Sequence, residues 1–210
     1  MNNKQIEIRT EAVEKRFGKT LLFRNIDIQL KNGDSFYITG PNGSGKSTLL
    51  QILAGIQRPS SGSVTYTVNN SILKNDYYKD FFGFTGPQVN PYDMLTAVEN
   101  LKFMASESID NNKIFEFLEK FDLYRHKDKA VKYYSSGMKQ RLRIIHALIH
   151  DPEILMLDEP CSNLDTKGCH IVYQTINDLK ADKILIIATN ESDDINLCSK
   201  GINLEQQNIK

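Results

Sequence analysis

A glycine-rich segment of nine residues limits the folds that this chain can adopt. It lies between a short apolar strand pattern, Ser35–Thr39, and a helix pattern whose apolar residues are Leu49, Leu50, Ile52 and Leu53. The segment matches the pattern G-x-x-x-x-G-K-[ST] and consists of Gly40, Pro41, Asn42, Gly43, Ser44, Gly45, Lys46, Ser47 and Thr48. A strand, this segment and a helix in that order predict a loop whose backbone N–H groups surround a phosphate group.

Two side chains of the segment extend this prediction to a nucleotide and a metal ion. Lys46 is expected to neutralise the outer phosphates, and the Ser47 hydroxyl is expected to ligate the Mg²⁺ that accompanies the nucleotide. The alternative interpretation is an ordinary turn rich in glycine and serine. The flanking strand and helix favour the phosphate loop, because they supply the structural context that the motif requires.

An acidic pair follows a wholly apolar strand pattern in the last third of the chain. The strand pattern is Ile154–Leu157, and Asp158, Glu159 and Pro160 come directly after it. In a parallel sheet this end of the strand faces the ligand crevice. We expect Asp158 to hold the Mg²⁺ and Glu159 to orient or deprotonate an attacking water molecule. Without the phosphate loop, the same residues would be interpreted as a solvated turn.

The composition indicates a globular protein with one core. The chain has 210 residues, of which 40% are hydrophobic and 25% charged, and its 26 Lys and Arg balance 26 Asp and Glu. This balance excludes a polybasic arm, so no nucleic-acid partner is expected. The apolar runs are shorter than the ~18 residues of a membrane span, and the first residues lack the apolar stretch of a signal peptide. We therefore expect a cytoplasmic location.

The cysteine residues predict neither a disulfide framework nor a zinc site. The three cysteines, Cys161, Cys169 and Cys198, form an odd number without a C-x-x-C pair. We expect all three to be reduced.

The distribution of periodic patterns predicts an α/β fold. Alternating residues in the first third, as in Ile26–Leu30 and Val64–Val68, indicate half-buried strands. The middle third is helical, with a capping box at Thr96 and Glu99 and a second cap at Asp110. The last third alternates helices and strands, which indicates parallel strands with crossover helices.

With these elements in place, the chain resembles an ATP-binding cassette (ABC) ATPase. The segment that begins Tyr134-Ser135-Ser136-Gly137-Met138 resembles the signature sequence of that family, although Tyr134 and Met138 replace its commonest Leu and Gln. The phosphate loop and the acidic strand correspond to its Walker A and Walker B motifs. In the family, the signature of one subunit caps the nucleotide bound by the other. The resemblance therefore implies that Ser135 and Gly137 contact ATP held by a second subunit.

The resemblance also implies the architecture. It is an α/β P-loop nucleotide hydrolase fold, a mixed sheet flanked by helices, with an N-terminal antiparallel β-subdomain and an inserted helical subdomain. One domain covers residues 1–210. Within it, residues 1–87 and 146–210 form the nucleotide-binding core with the β-subdomain, and residues 88–145 form the helical subdomain.

Three further positions match functional positions of the family. Gln88 resembles the glutamine that senses Mg²⁺ and links the core to the helical subdomain. Ser162–Asp165 resembles the segment that couples two active sites across a dimer, which places Asp165 near nucleotide. Phe17 stands where an aromatic residue stacks on adenine, and stacking requires only a π face.

One position departs from the family. A histidine that contacts the γ-phosphate normally follows the last core strand, and here Asn190 stands in its place. An asparagine amide can donate a hydrogen bond but cannot become cationic. The loss of one charge-assisted donor in a transition state costs on the order of 3 kcal/mol, or about a hundredfold in rate. We therefore expect normal ATP binding and dimerisation but slow hydrolysis, unless a partner subunit or a nearby residue compensates.

Taken together, the resemblance implies the ATP-binding and ATP-hydrolysing subunit of an ABC transporter, with ATP and Mg²⁺ as its ligands. A homodimer or heterodimer would close on nucleotide and power a separate transmembrane permease. The chain would lie at the inner face of the cell membrane only through its contact with this permease. The permease is expected to dock near Gln88 and residues 90–95.

Three alternatives remain open at this stage. The first is a regulatory or asymmetric ABC subunit with impaired hydrolysis, which Asn190 favours. The second is a GTPase, in which Asp80 and Gly83 form D-x-x-G and Asn190–Asp193 imitates the guanine-binding motif. The third is an ABC protein of DNA repair or translation, which the length and the single phosphate loop disfavour.

Overall fold

The computed structural model describes residues 4–73, 81–104 and 109–207, and its strands form two sheets. In chain order the strands are β1 (Ile6–Phe17), β2 (Thr20–Ile26), β3 (Gln29–Lys31), β4 (Ser35–Thr39), β5 (Ser61–Val68), β6 (Ser71–Ile72), β7 (Phe82–Thr85), β8 (Ile154–Asp158), β9 (Ile184–Ala188) and β10 (Lys200–Asn203). The helices are α1 (Lys46–Leu53), α2 (Ala97–Met104), α3 (Asn111–Lys120), α4 (Ser136–Leu148), α5 (Thr166–Leu179), α6 (Ser192–Ile195) and α7 (Leu204–Gln207).

The central sheet is parallel and lies between two apolar layers. Its strand order is β10-β4-β9-β8-β7, and all four pairings are parallel. The side chains of β8 alternate, so that Leu155 and Leu157 pack with the helices α4 and α5, whereas Ile154 and Met156 pack with α1 and the antiparallel sheet. This two-sided burial explains why the strand patterns contain only apolar residues.

The second sheet is antiparallel, with the order β2-β1-β5-β6 and with β3 paired to β1. The alternating pattern Ile26–Leu30 indicated half-buried strands, and the structure divides it between the end of β2 and β3. The chain leaves the ladder between β2 and β3, because Asp27 Oδ1 accepts a hydrogen bond from the Ala12 N–H at 2.6 Å. The N–H of Ile28, the residue after Asp27, donates to the Thr10 side chain (Oγ1) at 2.8 Å instead of to a ladder carbonyl.

Helices and short 3₁₀ turns occupy the described residues between β7 and β8. The capping box is confirmed, since the Thr96 N–H donates to Glu99 Oε2 at 2.8 Å and the Glu99 N–H donates to Thr96 Oγ1 at 3.2 Å. The cap at Asp110 is confirmed by its bond from the Asn112 N–H. The division of the domain at residues 88–145 stays a prediction, and its second boundary lies inside α4.

These features confirm the α/β fold class with its antiparallel sheet. The longest described helix, α5, has 14 residues. None of the described helices combines the length and the apolar content that crossing a bilayer requires.

Candidate functional site

The phosphate loop joins β4 to α1 and places the N-terminus of α1 at its centre. Gly45 is the N-cap of α1 and has a φ of 101°, in the left-handed region that favours glycine. A Cβ atom at Gly45 would also lie 3.0 Å from Phe23 Cε1. Glycine at this position therefore lets the chain turn into the helix while the first N–H groups of α1 remain available to an anion.

The side chain of Lys46 points back into the phosphate loop. Its Nζ donates a hydrogen bond to the Gly40 carbonyl oxygen at 2.8 Å, and the residue is 7% exposed. A lysine ammonium group has three donors. Lys46 can therefore keep this bond to the loop and still contact a phosphate oxygen.

Two buried polar atoms lie in the phosphate loop and at the end of β8. Among the described residues, the Ser44 Oγ and the Asp158 Oδ2 have no hydrogen-bond partner although both are inaccessible to solvent. Such atoms are costly unless a ligand satisfies them. Their position on the phosphate loop and at the end of β8 indicates that the site is completed by a bound molecule.

Asp158 and Ser47 have the chemistry of a Mg²⁺ site. Ser47 and Asp158 line the same cavity. Burial raises the pKa of Asp158, Glu159 raises it further, and Ser47 and Lys46 oppose the shift. Oxygen ligands from one carboxylate and one hydroxyl suit Mg²⁺, which retains several water molecules in such sites. The unpartnered Oδ2 of Asp158 therefore fits the predicted metal.

Glu159 is exposed at the wall between two cavities. A cavity of about 300 Å³ is lined by Ser47, Asp158 and Glu159 together with Gly86, Pro87, Gln140, Arg143, Ser162 and Asn163. A second cavity, of about 590 Å³, is lined by Glu159, Asn42 and Asn190 among others. Glu159 has a φ of 46°, which is uncommon for a residue with a side chain. Glu159 therefore lines both the cavity with Ser47 and Asp158 and the cavity with Asn190.

Asn190 contacts the phosphate loop directly. Its Oδ1 accepts from the Thr39 hydroxyl at 3.3 Å and from the Gly40 N–H at 3.4 Å, and its Nδ2 donates to Asn42 Oδ1 at 3.4 Å. These bonds are long, so the amide can exchange them for a phosphate oxygen at low cost.

The two signature residues lie at the start of α4. Ser135 is the N-cap, and its Oγ accepts from the Met138 N–H at 3.2 Å. A Cβ atom at Gly137 would lie 2.9 Å from the Asn163 carbonyl oxygen, so this helix start and the segment 162–165 approach each other closely. Neither residue lines the two cavities beside the phosphate loop, and their contact with the nucleotide of a second subunit stays a prediction.

Three predicted site residues lie apart from the metal pair. Gln88 is exposed in the loop after β7 and does not line the smaller cavity, although its neighbours Gly86 and Pro87 do. Asp165 caps α5 by accepting from the Gly168 N–H at 2.8 Å. Phe17 is 52% exposed at the end of β1, with Lys15 Nζ 5.0 Å from the ring centroid.

Two residues of the site were not predicted. Gln140 and Arg143 line the smaller cavity beside Asp158 and Glu159, and both lie on α4, the helix that precedes β8. Gln140 belongs to the segment that resembles the family signature, but the sequence indicated a role only for Ser135 and Gly137 there. Arg143 carried no sequence signal.

Comparison with known proteins identifies the family. A family model described as ABC transporter matches residues 23–162, and this range covers the phosphate loop, the signature segment and the acidic pair. The chain belongs to the ABC transporter family. Among similar proteins, the lantibiotic transport ATP-binding protein SrtF of Streptococcus pyogenes is 30% identical over 184 residues, 87% of this chain and 79% of SrtF.

A second relative is longer than this chain. The linearmycin resistance ATP-binding protein LnrL of Bacillus subtilis (strain 168) is 30% identical over 191 residues. The match covers 87% of this chain, which spans 60% of the length of LnrL.

Solved structures have the same architecture. The ABC cassette MJ0796 in a dimeric post-hydrolysis state bound to ADP and Pi has a TM-score of 0.81 and 26% identity, and 93% of each chain is covered. This similarity confirms the fold class expected from the resemblance. It does not favour the GTPase alternative, which depended on Asp80, a residue outside the described part of the chain, and on Asn190, which contacts the phosphate loop.

The turn that carries Asn190 depends on a buried carboxylate, and this dependence predicts a pH effect. The Thr189 hydroxyl donates to Asp194 Oδ2 at 2.7 Å, and Asp194 is fully buried. Burial raises the pKa of Asp194 in the folded protein, so ionisation there destabilises the folded state. Asp194→Asn keeps an acceptor for Thr189 and removes the charge. We expect Asp194→Asn to increase the free energy of unfolding at pH 7 to 8.

The gain should decrease as the pH falls through the raised pKa of the folded state. The reason is that the folded wild type binds the proton at a higher pH than the unfolded chain does. Below the unfolded-state pKa of about 4 both states are protonated, so the gain should become constant. Urea unfolding of both proteins between pH 4 and pH 8 measures the difference. A gain that is constant over this range would contradict the assignment.

Proposed function

We propose that this chain is the ATP-binding and ATP-hydrolysing subunit of an ABC transporter. The observation that carries the proposal is the phosphate loop at the N-terminus of α1, surrounded by the unpartnered Ser44 Oγ and Asp158 Oδ2. The family match and the printed description of SrtF as a lantibiotic transport ATP-binding protein support it.

The nucleotide is held by the backbone and by three side chains. The N–H groups of residues 40–48 bind the phosphates, and the helix N-terminus adds positive potential. Lys46 neutralises the outer phosphates, and the exposed ring of Phe17 stacks on adenine. Ser47 and Asp158 would hold Mg²⁺, with Gln88 of the neighbouring loop as a further ligand expected from the resemblance, and the ion would neutralise charge on the phosphate oxygens.

Hydrolysis is carried by Glu159 and assisted by Asn190. The Glu159 carboxylate lies next to the metal residues, where it orients or deprotonates the attacking water. The Asn190 amide lies 3.4 Å from the first N–H of the loop and donates from there to the γ-phosphate. Because this donor is neutral, it stabilises the developing charge less than a cationic histidine does.

Two copies of the cassette close on two nucleotides. The helix start at Ser135 and Gly137 would contact the nucleotide of the other subunit through its first backbone N–H groups. The second subunit is a copy of this chain or a related one, and closure and reopening drive the permease. MJ0796, of which 93% is covered by this chain, forms a dimer.

The permease docks on an apolar patch, which we define by the exposed side chains of Tyr92, Met94 and Phe103, in the region that follows Gln88 in the chain. These side chains are 51%, 73% and 65% exposed, and the rings of Tyr92 and Phe103 pack edge to face with centroids 5.1 Å apart. Exposed apolar patches of this kind mark interaction sites. Through this contact the chain is held at the cytoplasmic face of the membrane.

The first test replaces the water-activating carboxylate. Glu159→Gln keeps the shape of the side chain but cannot accept a proton, so we expect ATP binding to persist and turnover to fall at least about a hundredfold. Closed dimers should then accumulate with Mg-ATP. Light scattering after size exclusion measures the dimer, and Asp151→Asn, on an exposed turn, is a control that should stay monomeric. A monomer of Glu159→Gln under saturating Mg-ATP would contradict the mechanism.

The second test restores the missing cation. Asn190→His should raise kcat by between about tenfold and a hundredfold, with KM for ATP nearly unchanged, because the imidazolium stabilises charge that develops in the transition state. Asn190→Ala, which has no donor, should lower kcat. Steady-state release of phosphate measures both variants. An Asn190→His rate equal to that of the wild type would show that the neutral amide does not limit hydrolysis.

A further inference from the structure

A continuous series of hydrogen bonds connects the turn at Glu159 to the loop that follows β7. It passes through two side chains of α4, Gln140 and Arg143, and ends at Asn90. Both ends matter for the proposed function: one carries the water-activating carboxylate, and the other contains Gln88 and leads to the apolar patch.

Gln140 holds the backbone of the Glu159 turn. Its side chain is 4% exposed, and its Nε2 donates to the Pro160 carbonyl oxygen at 3.1 Å and to the Glu159 carbonyl oxygen at 3.4 Å. Both acceptors belong to the segment in which Glu159 has its positive φ. Since a backbone in this region is strained, contacts from the surroundings determine where the carboxylate points.

Arg143 extends the series across the smaller cavity. One terminal nitrogen donates to Gln140 Oε1 at 3.0 Å, and the other donates to Asn90 Oδ1. Both acceptors are neutral amide oxygens, so the planar guanidinium group acts as a rigid two-ended donor rather than as half of an ion pair. A lysine at this position has a single flexible ammonium group and cannot reproduce that geometry.

Asn90 fixes the loop at the far end. Its Nδ2 donates to the Pro87 carbonyl oxygen at 3.1 Å, and the Val89 N–H donates to the Gly86 carbonyl oxygen at 3.0 Å. The side-chain amide that Arg143 binds therefore holds the backbone before Gln88, and a backbone turn holds the residue after it.

We propose that Arg143 is a positioning residue for hydrolysis: it connects Asn90 to Gln140 so that displacement of the loop at residues 87–90 moves the Glu159 turn. A permease that docks beside this loop would thereby change the hydrolysis rate without contacting nucleotide. The proposal rests on the proposed ATPase function. It predicts an effect on kcat and little effect on ATP binding, because the hydrogen bonds of Arg143 go to Gln140 and Asn90, which lie outside the phosphate loop.

A double-mutant cycle tests the connection. Arg143→Met and Asn90→Leu should each lower kcat by about tenfold, the scale expected when a catalytic group is displaced by a fraction of an ångström, while KM for ATP stays within about twofold. Arg143→Lys should lose nearly as much as Arg143→Met, since charge alone does not bridge the two amides. If both residues act through one series, the double variant should lose about tenfold and not about a hundredfold.

Arg141→Met is the matched control on the same helix. Arg141 donates to the Phe121 carbonyl oxygen at 3.1 Å, towards the helical region and away from Gln140. Its replacement should leave kcat unchanged. An unchanged kcat in Arg143→Met, effects of Arg143→Met and Asn90→Leu that multiply, or full activity in Arg143→Lys would each overturn the proposal.

Amide hydrogen exchange provides a readout that does not depend on ATP hydrolysis. The Val89 N–H and the Ser162 N–H, which donates to the Glu159 carbonyl oxygen at 3.0 Å, lie at the two ends of the series. In Arg143→Met both amides should exchange faster than in the wild type, and in Arg141→Met neither should. Unchanged exchange at Ser162 would overturn the connection. A wild type that does not hydrolyse ATP would contradict the proposed function, and the exchange result would still decide the connection.

Discussion

The parallel register of the central sheet is the constraint on which the site depends. The carboxyl ends of β4, β7, β8 and β9 lie at one edge, because all their pairings are parallel. Each end supplies one part of the site: the phosphate loop, the loop with Gln88, the acidic pair and the turn with Asn190. Burial on both faces holds these strands in register, so the four parts are positioned by the core and not by their own loops.

The helix α4 connects this edge to the rest of the molecule. Its N-terminus carries Ser135 and Gly137, its middle carries Gln140 and Arg143, and it packs on β7 and α5. A Cβ atom at Gly83 of β7 would lie 2.0 Å from the Ala147 carbonyl oxygen, so helix and strand are in close backbone contact. This close contact makes α4 the element that connects the smaller cavity to β7 and α5.

Local patterns predicted the parts of the structure that local chemistry determines. The phosphate loop, the caps at Thr96 and Asp110 and the buried strand before Asp158 follow from spacing and residue type, and the structure contains them. Contacts between distant segments could not be predicted in this way. The break at Asp27 depends on the N–H of Ala12, and the role of Arg143 depends on Asn90, a residue 53 positions away. Such partners are set by the tertiary fold, which periodicity does not encode.

Calorimetric titration of Mg-ATP into the purified chain tests the central claim most directly, because it measures the contact between the loop and the phosphates without requiring turnover. The account predicts saturable binding at one site per chain, and a loss of at least about tenfold in affinity for Lys46→Ala, since a hydrogen bond to a charged group contributes about 1.5–3 kcal/mol. Lys180→Ala, whose ammonium group donates to the Leu197 carbonyl oxygen, should bind as the wild type does. Absence of binding heat in the wild type, or equal affinities for the wild type and Lys46→Ala, would contradict the account.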